Sequence, residues 1–178
     1  YQPRKEKWSL TERKGFLRLY SFMPTELNNE KSMILKAGNT LTQRSMRTSS
    51  NMATVKIDIS HMADGQFAGL THFSTTRASL LGVRQENGIR HLIYEVNGKD
   101  SLGTMVNGRY IWLRSTWDAN GVNRYAFSMD GKRYQPLADI YQLTWGSYRG
   151  DRIGIFNFNS KEEKGYVDIE WFRYNYEQ

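Results

Sequence analysis

The chain of 178 residues contains no cysteine. Disulfides, thiolate zinc centres and cysteine nucleophiles are therefore excluded, while the compartment stays open because exported proteins also dispense with cysteine. A periplasmic or secreted setting is favoured, with a cytoplasmic one kept open. No apolar run approaches the roughly 18 residues of a membrane-spanning helix, so no membrane partner is expected. Helical periodicity over a dozen residues is missing, as are fixed-period repeats and low-complexity runs, which argues against bundles, solenoids and propellers. Basic residues exceed acidic ones by 25 to 18, yet they are scattered, densest at residues 4–7 and at Arg13-Lys14. Without a basic stripe a nucleic-acid partner is not expected, and that reading ranks last.

What remains is a succession of short alternating runs separated by glycine turns. Val55, Ile57 and Ile59 alternate with polar residues, as a half-buried strand requires. Residues 67–73 are apolar on both faces and read as a central strand. Asn87-Gly88, Asn97-Gly98, Asn107-Gly108 and Asp130-Gly131 mark reversals, the last a strong hairpin signal. Ile111 and Leu113 share one face of a strand, and Trp112 and Arg114 share the other. Two further strands end the chain, and in the last one Val167, Ile169 and Trp171 are expected on the core face. Many short strands without helices indicate an all-β fold, an antiparallel two-sheet sandwich. Residues 1–7 are polar and proline-marked, and read as a linker remnant from an upstream domain. Residues 8–178 then form one sandwich domain, long enough to bury roughly 70% of its unfolded surface.

The side chains offer little catalytic chemistry. His61, His72 and His91 lie in or beside strands with no nucleophile elbow nearby, and their spacing suggests no metal site. Asp58, Asp64, Asp118, Asp151, Asp168 and Glu170 are available as a carboxylate pair, but nothing selects among them. No catalytic residue is assigned. A structural calcium ion would draw on Asp151 and Asp168, but the dense Asp/Asn loop of a dedicated site does not occur, and no cofactor is expected. Aromatic residues, at 13%, are the more informative excess because each must be buried or used. Trp112, Arg114, Trp117, Tyr125 and Trp145 are the candidates for stacking on and hydrogen bonding to a glycan.

Several motifs then fall in a recognisable order. They are Trp8-Ser9-Leu10, Gly15-Phe16-Leu17-Arg18-Leu19, Gln43-Arg44 after Leu41, Ala68-Gly69-Leu70, Phe127-Ser128 with Asp130-Gly131, Gly150-Asp151-Arg152-Ile153-Gly154-Ile155-Phe156, and Asp168 with Trp171-Phe172-Arg173-Tyr174. This series resembles the C-terminal β-sandwich of glycoside hydrolase family 43 β-xylosidases and α-L-arabinofuranosidases, over nearly the whole chain. The resemblance implies a concanavalin A-like jelly roll that follows a five-bladed catalytic propeller. It implies a non-catalytic accessory role in xylan degradation, with xylan-derived oligosaccharide as ligand of the whole enzyme. It also implies a loop lent to the propeller's active site, here Gln43, Arg44, Ser45, Met46 and Arg47 and on to residue 51. The alternative is an independent xylan- or arabinoxylan-binding module that uses the aromatic candidates.

Overall fold

The computed structural model describes residues 4–24, 34, 40–144 and 150–177. Two antiparallel sheets pack face to face. The first has seven strands in the spatial order β1 (Trp8–Ser9), β2 (Leu17–Tyr20), β13 (Tyr166–Tyr176), β4 (Asn51–Asp58), β9 (Tyr110–Trp117), β10 (Val122–Ser128) and β11 (Gln135–Gln142). The second has six, in the order β3 (Leu41–Arg44), β12 (Arg152–Asn159), β5 (Gln66–Phe73), β6 (Ala78–Glu86), β7 (Ile89–Val96) and β8 (Lys99–Met105). The described residues include a 3-10 turn, Lys5–Lys7, and no α-helix.

Alternation explains the core. Ala53, Val55 and Ile57 of β4 and Ile111 and Leu113 of β9 project between the sheets, where they meet Ala68, Leu70, Leu81, Val83, Ile153 and Ile155 of the second sheet. At about 2 kcal/mol for each large apolar side chain removed from water, this cluster supplies the main driving force for folding. Strand β5 is apolar on both faces because a second cluster lies outside the six-stranded sheet. There Phe67 packs with Phe156, Phe158, Leu80, Ile93 and Ile34.

The hairpin signals at residues 87–88 and 97–98 correspond to turns. Asn87 and Gly88, and likewise Asn97 and Gly98, have both central residues at positive φ, the geometry of a type I′ turn. Asn107-Gly108 differs from expectation: it carries the chain from β8 in one sheet to β9 in the other. Strand β8 itself had no clear signal, because it is an exposed edge strand with no buried face to impose alternation. The two closing strands lie in different sheets, β12 in the six-stranded one and β13 in the seven-stranded one. Trp171 requires a correction. The pairing of β13 with β4 slips between Ile169 and Trp171, so a bulge inverts the alternation. Val167 and Ile169 face the core, then Phe172 and Tyr174 do, and Trp171 turns outward.

Candidate functional site

At one edge of the six-stranded sheet, β3 pairs only with β12, and all four of its residues are exposed. Arg44 lies opposite Arg152 in this register. Two like charges across a strand pair repel each other, and among the described residues neither has a carboxylate partner. Arg152 instead donates to Thr42 Oγ1 at 3.1 Å.

Beyond Arg44 the chain crosses from one sheet to the other, held from below at every step. The Ser45 N–H donates to the Asp151 carbonyl at 3.2 Å, and Ser45 Oγ lies 3.3 Å from His72 Nδ1. His72 is fully buried, its Nε2 is 2.7 Å from Ser115 Oγ, and Asn123 donates to that same oxygen at 2.5 Å. Burial, reinforced by the charge of Arg47, pushes the imidazole down to about 3, so it is neutral near pH 7. The Met46 N–H donates to Tyr174 Oη at 2.7 Å, and the Met46 carbonyl accepts from Trp117 Nε1 at 2.7 Å. Trp117 stands edge-on to His72, with ring centroids 4.9 Å apart. Arg47 Nη2 donates to Asp151 Oδ2 at 3.2 Å and to the Leu143 carbonyl at 3.3 Å. Its guanidinium lies against Gly121, where φ is +78° and any Cβ would collide with it. The Asp151 carboxyl is buried, which raises it to about 6 although the Arg47 charge acts the other way. Thr48 and Asn51 then bond to each other at 2.7 Å and close the turn into β4.

This geometry divides the predicted loop. Ser45 and Arg47 face inward as anchors, and Gln43, Arg44 and Met46 remain at the surface. The anchors His72, Trp117, Tyr174 and Asp151 come from four strands or strand starts remote in sequence, so no local motif could have shown that they meet.

The glycan candidates also separate. Trp117 and Tyr125 are only 2% and 1% exposed, so neither can stack on a sugar. Both lie on inward positions, and Tyr125 Oη accepts the His72 N–H at 3.1 Å and bonds with Ser79 Oγ at 2.9 Å. Trp145 lies outside the described residues. Trp112 and Arg114 do face outward, half-buried. Trp112 is pressed against the 129–134 turn, where a Cβ on Gly131 would come within 2.7 Å of its ring, and Arg114 lies 3.5 Å from the Tyr134 ring centroid.

The two carboxylates considered for calcium each face arginine. Asp168 accepts from Arg18 at 2.8 and 3.0 Å and from Arg13 at 3.1 Å. Its cross-strand neighbour Asp58 accepts from Arg13 at 2.6 Å and from Arg109 at 2.9 Å. Burial works to raise Asp58, but the bonds from Ser60, Arg13 and Arg109 outweigh it and hold it at about 2. Asp64, Asp118 and Glu170 also have partners, in Gly88, Val122 and Lys56 respectively. The structure thus uses all six carboxylates for pairing and capping.

Two stacked antiparallel sheets, with the last strand inserted between β2 and β4, define a sandwich of the concanavalin A-like class. The chain belongs to the family described as the β-xylosidase C-terminal concanavalin A-like domain, which matches residues 1–175. A β-xylosidase of Formosa agariphila is 35% identical over 99% of this chain, and the chain spans 32% of that relative. A bifunctional GH43-CE protein of Bacteroides eggerthii is 25% identical, with a TM-score of 0.85 over 99% of this chain and 23% of its own. An engineered GH43 glycoside hydrolase, described as showing endo-xylanase and exo-arabinofuranosidase activity, is 24% identical, with a TM-score of 0.83 over 98% of this chain and 37% of its own. The chain is thus similar to about a quarter to a third of each longer polypeptide.

Proposed function

We propose that this domain is the accessory, non-catalytic sandwich of a xylan-degrading glycosidase, and that it presents Gln43, Arg44 and Met46 to the active site of a catalytic domain that precedes it. The carrying observation is the exposed Arg44 opposite Arg152, without a carboxylate partner among the described residues and set on an edge whose continuation is anchored by buried groups. An arginine kept beside a like charge with no carboxylate of its own is suited to a partner outside the domain, and a rigid support lets it act without a large loss of side-chain entropy. The hydroxyl groups of a xylan-derived oligosaccharide, or the acidic rim of a glycosidase cleft, supply such a partner.

In the full-length polypeptide, Arg44→Ala should lower kcat/KM on aryl xylosides about tenfold, equivalent to roughly 1.4 kcal/mol. The melting temperature should stay unchanged, since Arg44 is exposed. Unaltered kinetics in a correctly folded variant would remove the active-site role.

A further inference from the structure

The outer face of the seven-stranded sheet carries three guanidinium groups that no carboxylate among the described residues pairs with. Register places Arg173, Thr54 and Arg114 side by side on β13, β4 and β9. Thr116 is the next outward position after Arg114, and Arg124 on β10 lies opposite it. With strands about 4.8 Å apart, the three cations spread over a patch roughly 10 to 15 Å across. Arg13, Arg18, Arg47, Arg84 and Arg109 each meet a carboxylate. Among the described residues Arg114, Arg124 and Arg173 meet none, and the neighbouring Glu170 is taken up by Lys56 at 2.5 Å.

Two of these groups are already oriented. Arg114 stacks on Tyr134 at 3.5 Å and donates through Nε to Thr54 Oγ1 at 3.2 Å, and Arg173 stacks on Trp171 at 4.3 Å. Stacking occupies the flat face of a guanidinium and leaves its in-plane N–H edge, the edge that grips a carboxylate in bidentate fashion. Beside them the sheet end opens into a concavity of about 440 Å³ that Thr116, Arg124, Asn175 and Tyr176 line together with two carboxylates, Asp118, which accepts from the Val122 N–H, and Glu177, which accepts from Ser49 Oγ. Tyr176, at the end of β13, shares the parity of Tyr174 and packs against it, and it is 43% exposed at the rim of this concavity. Hydroxyl and amide groups beside an exposed ring suit a pyranose, whose C–H face stacks on the ring while its hydroxyls are hydrogen-bonded.

We propose that this face and the concavity at its end bind an anionic polysaccharide bearing uronate groups, with Arg114 and Arg173 as carboxylate forks, Arg124 and Asn175 as polar contacts and Tyr176 at the strand end as the stacking platform. Bound carboxylates would relieve the mutual repulsion of the three cations, so affinity falls as salt rises. The site shares no residue with the β3 edge and stands whether or not Arg44 acts on catalysis.

Native affinity electrophoresis of the full-length polypeptide tests it, with glucuronoxylan and with the same polymer after carboxyl reduction as probes. Glucuronoxylan should retard the protein, and the reduced polymer should bind at least tenfold more weakly. Arg114→Gln combined with Arg173→Gln should cost at least tenfold in affinity for glucuronoxylan, with turnover of aryl xylosides unchanged. Should that double variant melt early, Arg124→Gln at an exposed site reads the same loss. Equal retardation by both polymers, retardation by neither, wild-type affinity in the folded variants, or equally tight binding of duplex DNA would each overturn the proposal.

Discussion

At the corner formed by Asp58 and Asp168, two buried carboxylates are met by three guanidinium groups, whereas Asp151 beneath the 45–47 crossover is met by one. Residue types and burial are nearly the same, and the outcome is opposite. Asp58 is held at about 2 and Asp151 is raised to about 6. The difference lies in the number of donors. Asp58 takes bonds from Arg13, Arg109 and Ser60, enough to replace the water it lost. Asp151 has a single side-chain bond, to Arg47, and its Oδ1 has no hydrogen-bond partner among the described residues. One corner is a charged rivet between β2, β4 and β13. The other supports the exposed β3 edge and leaves its carboxylate the less stabilised of the two.

Removing one partner should separate the two most sharply. Asp168→Asn leaves Arg13 and Arg18 facing a neutral amide, and breaking a buried pair in this way costs about 4 kcal/mol. For a domain of this size that lowers the melting temperature by roughly 10 °C. Thermal unfolding followed by circular dichroism measures it. A loss under about 1 kcal/mol would mean that the corner is no more than a surface ion pair.

Acid–base linkage sharpens the contrast further. Asp58, depressed in the fold, contributes stability that is present above about pH 4 and lost as the pH falls towards 2. Asp151, raised in the fold, contributes in the opposite sense: its term is full below about pH 4 and is lost as the pH rises through about 6. His72 titrates in the same window with opposite slope, because its depressed value costs stability as the pH falls below about 6.5. The net curve of the wild type therefore hides both. The difference between wild type and Asp151→Asn isolates one of them. The variant should be more stable at pH 7 by up to about 3 kcal/mol, from a shift of about two pH units at 1.36 kcal/mol each, and the gap should close towards pH 4. Urea unfolding at several pH values reads this gap. A gap independent of pH would show that Arg47 alone satisfies Asp151.

Where one face of a strand is buried and the other wet, period-two alternation left a clear trace, as at Val55, Ile57 and Ile59. Asn-Gly pairs likewise announced the turns at residues 87–88 and 97–98, because few other residues accept two successive positive φ values. Trp117 shares the parity of Ile111 and Leu113, and Tyr125 that of Phe127, so alternation already pointed both inward, against their candidacy as glycan platforms. Two features had no such trace. The bulge after Ile169 depends on how β13 meets β4, and it moved Trp171 to the outside. The crossover anchors were hidden for a similar reason. Ser45, His72, Ser115 and Asn123 form one buried polar relay only after four separate strand regions converge.

That relay and its neighbours predict the smallest effect. The crossover is held by several neutral bonds, each worth about 1 kcal/mol, where the Asp168 corner depends on a few charged ones. Tyr174→Phe deletes the acceptor of the Met46 N–H and leaves the ring packed near Trp117, 5.4 Å between centroids. Met46 is 38% exposed, so water can replace the lost bond, and the cost should stay near 1 kcal/mol. Hydrogen exchange of the Met46 amide should then quicken about fivefold while the core strands β4, β5 and β9 keep their protection. If exchange at Met46 does not change, the remaining bonds of Ser45, Trp117 and Arg47 fix the crossover by themselves, and the weaker stabilisation of this end lies in the charge of Asp151 alone.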